Sequence, residues 1–197
     1  MRIPMAILAA LLATSAAPAR GQDLAGDRAV GEVAFSDETL QLRYRDAGRN
    51  VDVGNGGRAS GALFLSEDRD IVLNGDLLFP AQIGFDRLQL LFGPRAYAAL
   101  LEDENTDVFA VSLGVEARFV IDPGSGLAIA GQAFYAPDIL TFGTADNLTD
   151  LSARIELGLQ DRLTVFGGMR WFEFDLINDL GTRTLQEELF AGLSWRF

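Results

Sequence analysis

The chain has 197 residues, with 28 acidic against 16 basic side chains and a formal net charge of −12. It holds no Cys and no His, which excludes a disulfide framework, a Ser-His-Asp or Cys-His catalytic arrangement, and a zinc site of imidazole or thiolate. The acidic balance argues against a nucleic-acid partner, since that would need clustered cations.

Residues 1–19, MRIPMAILAALLATSAAPA, carry one Arg, an apolar run and an A-x-A end at Ala17-Pro18-Ala19. This pattern predicts a secretory signal peptide, too short to span a bilayer as a helix. The remaining domain is then 20–197. It contains no continuous apolar run of about 20 residues, so no membrane helix is expected. A lipid-modified N-terminus would require a Cys at the cleavage site.

Alternating segments follow, separated by turn residues. A short possible strand spans 30–35 and a cleaner one 39–45, where Leu40, Leu42 and Tyr44 oppose Gln41, Arg43 and Arg45. After a Gly/Asn-rich loop over 46–57, strands are expected at 58–65 and 71–79, joined by the charged turn 66–70. In the second, Ile71, Leu73, Leu77 and Phe79 oppose Asn74 and Asp76. A long segment, 86–101, contains Pro94, which lacks a ladder donor and predicts a bulge or irregularity there.

The acidic turn 102–107 leads to a strand at 108–120, and Asp122-Pro123-Gly124-Ser125-Gly126 is a strong turn signal. Further strands are expected at 127–136, 148–159 and 163–174, with polar loops over 138–147 and 175–183. No helix is expected after the signal.

The last segment, LQEELFAGLSWRF, places Leu189, Ala191, Leu193, Trp195 and Phe197 on one face and Glu188, Gly192, Ser194 and Arg196 on the other. Its period of two marks a strand. An apolar face that runs into a terminal aromatic is the pattern of a closing strand in a bacterial outer-membrane barrel, with Trp195 and Phe197 as the assembly signal. The predicted fold is therefore all-β: an antiparallel up-and-down transmembrane β-barrel of eight or ten strands, ten being the better count.

A soluble barrel alternates too, with the polar face outward. Here the polar face is small residues mixed with single charges of both signs, which suits a crowded lumen where charges are paired. The expected lumen network is Arg43, Asp76, Arg87, Arg95, Glu116, Arg118, Arg154, Glu156, Arg170 and Glu188. Tyr44, Phe79, Tyr97, Phe119, Tyr135, Trp171 and Trp195 would form interfacial girdles.

Acid pairs such as Glu187-Glu188, and the run Glu102-Asp103-Glu104, read as solvated charge rather than acid/base machinery. The 102–107 stretch EDENTD lacks the glycine and distal Glu of an EF-hand loop. The chain is expected to be no enzyme, with no cofactor and no metal.

Several stretches carry a resemblance. SDETLQLRY (Ser36–Tyr44), LFLSEDRD (Leu63–Asp70), Phe134-Tyr135-Ala136-Pro137-Asp138 with Phe142, and the closing strand together resemble the YfaZ family of small Gram-negative outer-membrane β-barrel proteins. The resemblance implies location and architecture, and carries over no catalytic residue.

The function expected is that of a monomeric outer-membrane barrel of structural or surface-interaction type, with a charge-paired, plugged lumen. Its partners would be outer-membrane lipid, lipopolysaccharide and the barrel-assembly machinery. The alternative is a narrow pore for small solutes or anions; a second alternative is a secreted soluble barrel binding an apolar ligand.

Overall fold

The structure is a computed structural model and describes residues 29–46, 57–81, 83–102, 106–176 and 181–197. The expected signal peptide, loop residues 47–56, positions 103–105 of the acidic turn, and 177–180 of the last loop lie outside them.

Eleven strands follow in order: β1 (Val30–Phe35), β2 (Thr39–Asp46), β3 (Arg58–Ser66), β4 (Ile71–Pro80), β5 (Leu88–Leu101), β6 (Thr106–Asp122), β7 (Leu127–Ala136), β8 (Thr141–Gly143), β9 (Ala145–Gln160), β10 (Leu163–Leu176) and β11 (Gly181–Arg196). Ten of them close into an antiparallel barrel, with β7 paired to β9 and β11 paired back to β1 from Val30↔Arg196 to Phe35↔Ala191. Closure leaves no free edge among these ten, each of which finds two neighbours. The segment at 30–35 is thus a full barrel strand, and ten is the count.

The eleventh strand, β8, belongs to the loop expected to be irregular. Pro137 fixes its own φ at −73° and starts a three-residue 3-10 turn, Asp138–Leu140. The Thr141 hydroxyl donates to the Pro137 carbonyl at 2.9 Å. The chain then pairs Thr141–Gly143 with β6. This single turn is the extent of helical structure among the described residues, in keeping with the all-β expectation. β9 also begins three residues earlier than its alternation suggests.

Pro94 behaves differently on its two sides. Toward β6 the register runs unbroken through Gly93↔Gly114, Pro94↔Leu113 and Arg95↔Ser112. Toward β4 the rungs between Asp76↔Arg95 and Phe79↔Phe92 are missing, and the register then resumes unchanged. The missing donor therefore opens the ladder on one side without a bulge. A true shift occurs between β10 and β11 at Phe172/Glu173, and the extra residue puts both Leu185 and Gln186 inside the wall.

Side chains sort by strand phase. Leu73, Leu113, Ile155, Leu189 and their neighbours point out, Leu189 with 75% of its surface exposed. Charged side chains point in: Arg95 is 0% exposed and Asp150 0%. Of the expected girdle residues, Tyr44, Phe119, Tyr135, Trp171 and Trp195 are exposed on the outer wall, and Phe79 is half-buried. Tyr97 is the correction. It shares the inward phase of Arg95 and is buried in the lumen, because strand parity decides its side.

Candidate functional site

The lumen is built in layers. Its floor lies at the end that carries the β1–β2, β3–β4 and β5–β6 turns. Phe64, Tyr97, Phe172 and Phe174 interlock there, with Phe64 edge-on to Phe172 at 5.7 Å and Phe172 5.6 Å from Phe174. Val72, Leu101, Val108, Leu148, Leu176 and Leu185 complete a buried apolar cluster. These side chains come from strands whose inward positions switch from polar to apolar toward this end.

Polar turns cover the floor. Asp70, 1% exposed, accepts from the Glu102 amide at 3.2 Å and from Arg183 at 2.9 Å. Arg69 bonds Glu102 at 2.7 Å, and that carboxylate raises the arginine's pKa further. Glu188 faces inward at this end, where it accepts a hydrogen bond from the Ser36 hydroxyl.

Two residues join the floor to the charged layer. Arg170 stacks 4.5 Å above Phe172, and the Tyr97 hydroxyl donates to Asp150 Oδ2 at 2.9 Å. Asp150 is a hub: Arg170 holds it at 2.9 and 3.0 Å, and Arg95 at 3.3 Å. Arg95 also reaches Asp76 at 2.9 Å and Glu116 at 3.0 Å, with its guanidinium 3.6 Å over the Phe134 ring. Each ion here is buried but bonded several times, the condition under which buried charge is tolerable.

A second cluster reaches across the lumen, joining β1 and β2 to β6 and β9. Arg154 bonds Glu32 and Glu156, both at 2.8 Å, and stacks 4.5 Å over Phe166. Arg118 reaches Glu156 at 2.7 Å, and Arg45 reaches Glu32 at 3.0 Å.

Above these clusters the lumen widens to a cavity of about 630 Å³, which extends to the end where Val30 pairs with Arg196. Among the described residues, seven arginines and four carboxylates line it. The lumen is therefore a cup with a polar wall and an apolar floor.

Eight of the ten expected network residues meet in these two clusters: Arg43, Asp76, Arg95, Glu116, Arg118, Arg154, Glu156 and Arg170. Two do not. Arg87 precedes β5 in a turn, is exposed, and donates to the Ile121 carbonyl at 3.4 Å, because the strand begins one residue later. Glu188 bonds Ser36 and no arginine among the described residues.

Sequence reasoning missed Glu32, Arg58, Gln132 and Asp150 as members. Asp150 and Glu32 could have been found by carrying the inward phase of Ser152 and Arg43 one step further along or across the sheet. Trp195 and Phe197 sit at the seam between first and last strands. Trp195 lies against Gly31, and Phe197 stacks on Tyr44 at 6.1 Å while its amide donates to Ala29 at 3.1 Å.

The fold is similar to two solved structures. One is described as a bacterial polysaccharide outer membrane secretin, at 14% identity and a TM-score of 0.46, over 86% of this chain and 69% of that one. The other is the outer membrane channel DcaP of Acinetobacter baumannii, at 10% identity and a TM-score of 0.40, over 84% of this chain. The chain spans 54% of the length of that channel. No curated protein matches. The YfaZ precursor family description matches residues 22–197, which include all of the barrel and both charge clusters, and the chain belongs to that family.

Proposed function

We propose that this protein is a monomeric, non-conducting barrel of the Gram-negative outer membrane, exported by its signal peptide, that serves the envelope structurally or through its loops. The observation that carries the reading is the combination of an apolar outer wall with the buried aromatic cluster Phe64–Tyr97–Phe172–Phe174 inside the barrel, which would act as the plug. Outward Leu, Ile, Phe and Trp with inward Arg, Asp and Glu is the polarity of a barrel whose solvent is lipid; a soluble barrel has it reversed.

Lipid and lipopolysaccharide would meet the outer wall, and the closing strand would be handled by the barrel-assembly machinery. An exported chain that inserts by pushing hairpins across the membrane leaves the start of β1 and the end of β11 on the side it came from. That places the cup toward the periplasm and the floor-side turns outward. Hydrolytic or transfer chemistry based on His or Cys is ruled out by composition, and the reading assigns the protein no catalysis.

The test is planar-bilayer recording of the purified barrel. The wild type should give no discrete conductance, and Phe172→Ala with Phe174→Ala should create one. Reproducible wild-type channels that vanish on reversing Arg95, Arg118, Arg154 and Arg170 would establish the narrow-pore reading instead. The excess of arginine over carboxylate around the cavity is the one feature that favours that second reading.

A further inference from the structure

Among the described residues, arginines outnumber carboxylates around the cup by seven to four, and two of those carboxylates are shared between several arginines. Glu116 alone serves three guanidinium groups. Arg95 binds it at 3.0 Å, Arg43 stands at 3.5 Å, and Arg58 takes the other oxygen. Arg43, with only 5% of its side chain exposed, has Gln132 at 3.4 Å as its remaining partner. Glu32 likewise divides itself between Arg45 and Arg154.

The Nε atoms of Arg43, Arg45 and Arg58 are buried and have no hydrogen-bond partner among the described residues. All three side chains come from β2 and β3 and line the cavity. A guanidinium binds an oxyanion best through its paired edge, and such bonds are strong where water is scarce. On this wall the terminal nitrogens already meet carboxylates, Arg45 Nη2 on Glu32, Arg58 Nη2 on Glu116 and Arg43 Nη1 on Glu116, while the Nε donor of each stays unused among the described residues. The cavity of about 630 Å³ lies in the size range of small-molecule sites.

We propose that the cup is a binding site for a small free oxyanion, a phosphate or a dicarboxylate, held by Arg43, Arg45 and Arg58. The anion completes the charge that Glu116 and Glu32 leave uncompensated. The site is blind, since the aromatic floor closes its far end, so the anion is captured and released at one mouth. This rests on the closed-cup reading of the lumen. Conductance would sink that reading, whereas a silent barrel that binds nothing would sink only this inference.

The experiment is calorimetric titration of the full barrel in nonionic detergent with sodium phosphate, and separately with sodium succinate, in a fixed excess of sodium chloride. Saturable binding at one site is expected for at least one of the two. Arg58→Gln and Arg43→Gln should each weaken it by about tenfold or more, while Arg69→Gln on the floor-side turn leaves it unchanged. Glu116→Gln provides a sign test: it enlarges the cationic excess and should tighten binding, whereas a residue with a merely structural role would loosen it.

Heat-modifiable gel migration checks that each variant is folded. Binding that chloride abolishes, that neither arginine variant alters, or that phosphatidylglycerol shows and inorganic phosphate does not, would overturn the proposal.

Discussion

Arg95 and Asp150 meet inside the barrel, Nη1 to Oδ2 at 3.3 Å, although 55 residues separate them and β6 and β7 lie between their strands. Neither side chain has measurable exposure. Each would be intolerable there alone, so the pair holds the barrel in a single closed register. Asp150→Asn should cost about 3–5 kcal/mol, because it strips charge from a site that faces both Arg95 and Arg170. Denaturant unfolding of the refolded barrel measures it. Asp150→Leu combined with Arg170→Met should recover most of the loss, since Arg95 retains Asp76 and Glu116.

A smaller loss is expected one bond away. Tyr97→Phe keeps the ring against Phe172 at 5.8 Å and removes only the hydroxyl that donates to Asp150 at 2.9 Å. A bond to a charged acceptor contributes about 1.5–3 kcal/mol. Asp150 keeps its arginines, so the lower end is expected. A neutral result in the same unfolding assay would mean that the hydroxyl is not engaged.

The strand count and the outward face were legible because alternation is local: one buried and one exposed side impose a period of two that any single strand displays. The eight network residues that converge were legible for the same reason, since a charge in the phase opposite to Leu or Val must point inward. What failed depended on element boundaries or on three-dimensional neighbours. Arg87 was misassigned because nothing local says that β5 starts at Leu88. Glu188 was in the right phase, but its partner Ser36 lies 152 residues away. The aromatic floor was obscured for a different reason. Phe166 and Phe172 break the polar phase of β10, and only closure of the barrel brings Phe172 against Phe64 and Tyr97.

Glycine sets the fit of one inward ring. A Cβ built on Gly114 would stand 2.3 Å from Phe134 Cδ1 and 2.4 Å from the Ala133 carbonyl oxygen. The ring of Phe134 lies against that bare backbone and supports Arg95 on its face. Gly114→Ala should therefore destabilise by about 1–3 kcal/mol through overpacking. Phe134→Leu in the same chain should relieve part of it. Failure of that rescue would place the clash at the Ala133 carbonyl instead.

The outer wall makes the sharpest claim about solvent. Leu189 lies at the middle of β11, and Leu159 is the second-last residue of β9. Both are well exposed, at 75% and 54%. In water an arginine at either site would be nearly neutral. In a bilayer the cost depends on depth: Leu189→Arg should cost about 2–4 kcal/mol at the midplane, and Leu159→Arg about 0–1 kcal/mol near the interface. Unfolding from phospholipid vesicles gives both numbers under one condition. A clear gap between them fixes the apolar wall as lipid-facing, because burial is similar and depth is what separates the two sites. Equal and negligible costs would overturn the membrane assignment, and with it the reading of the floor as a plug against passage across a bilayer.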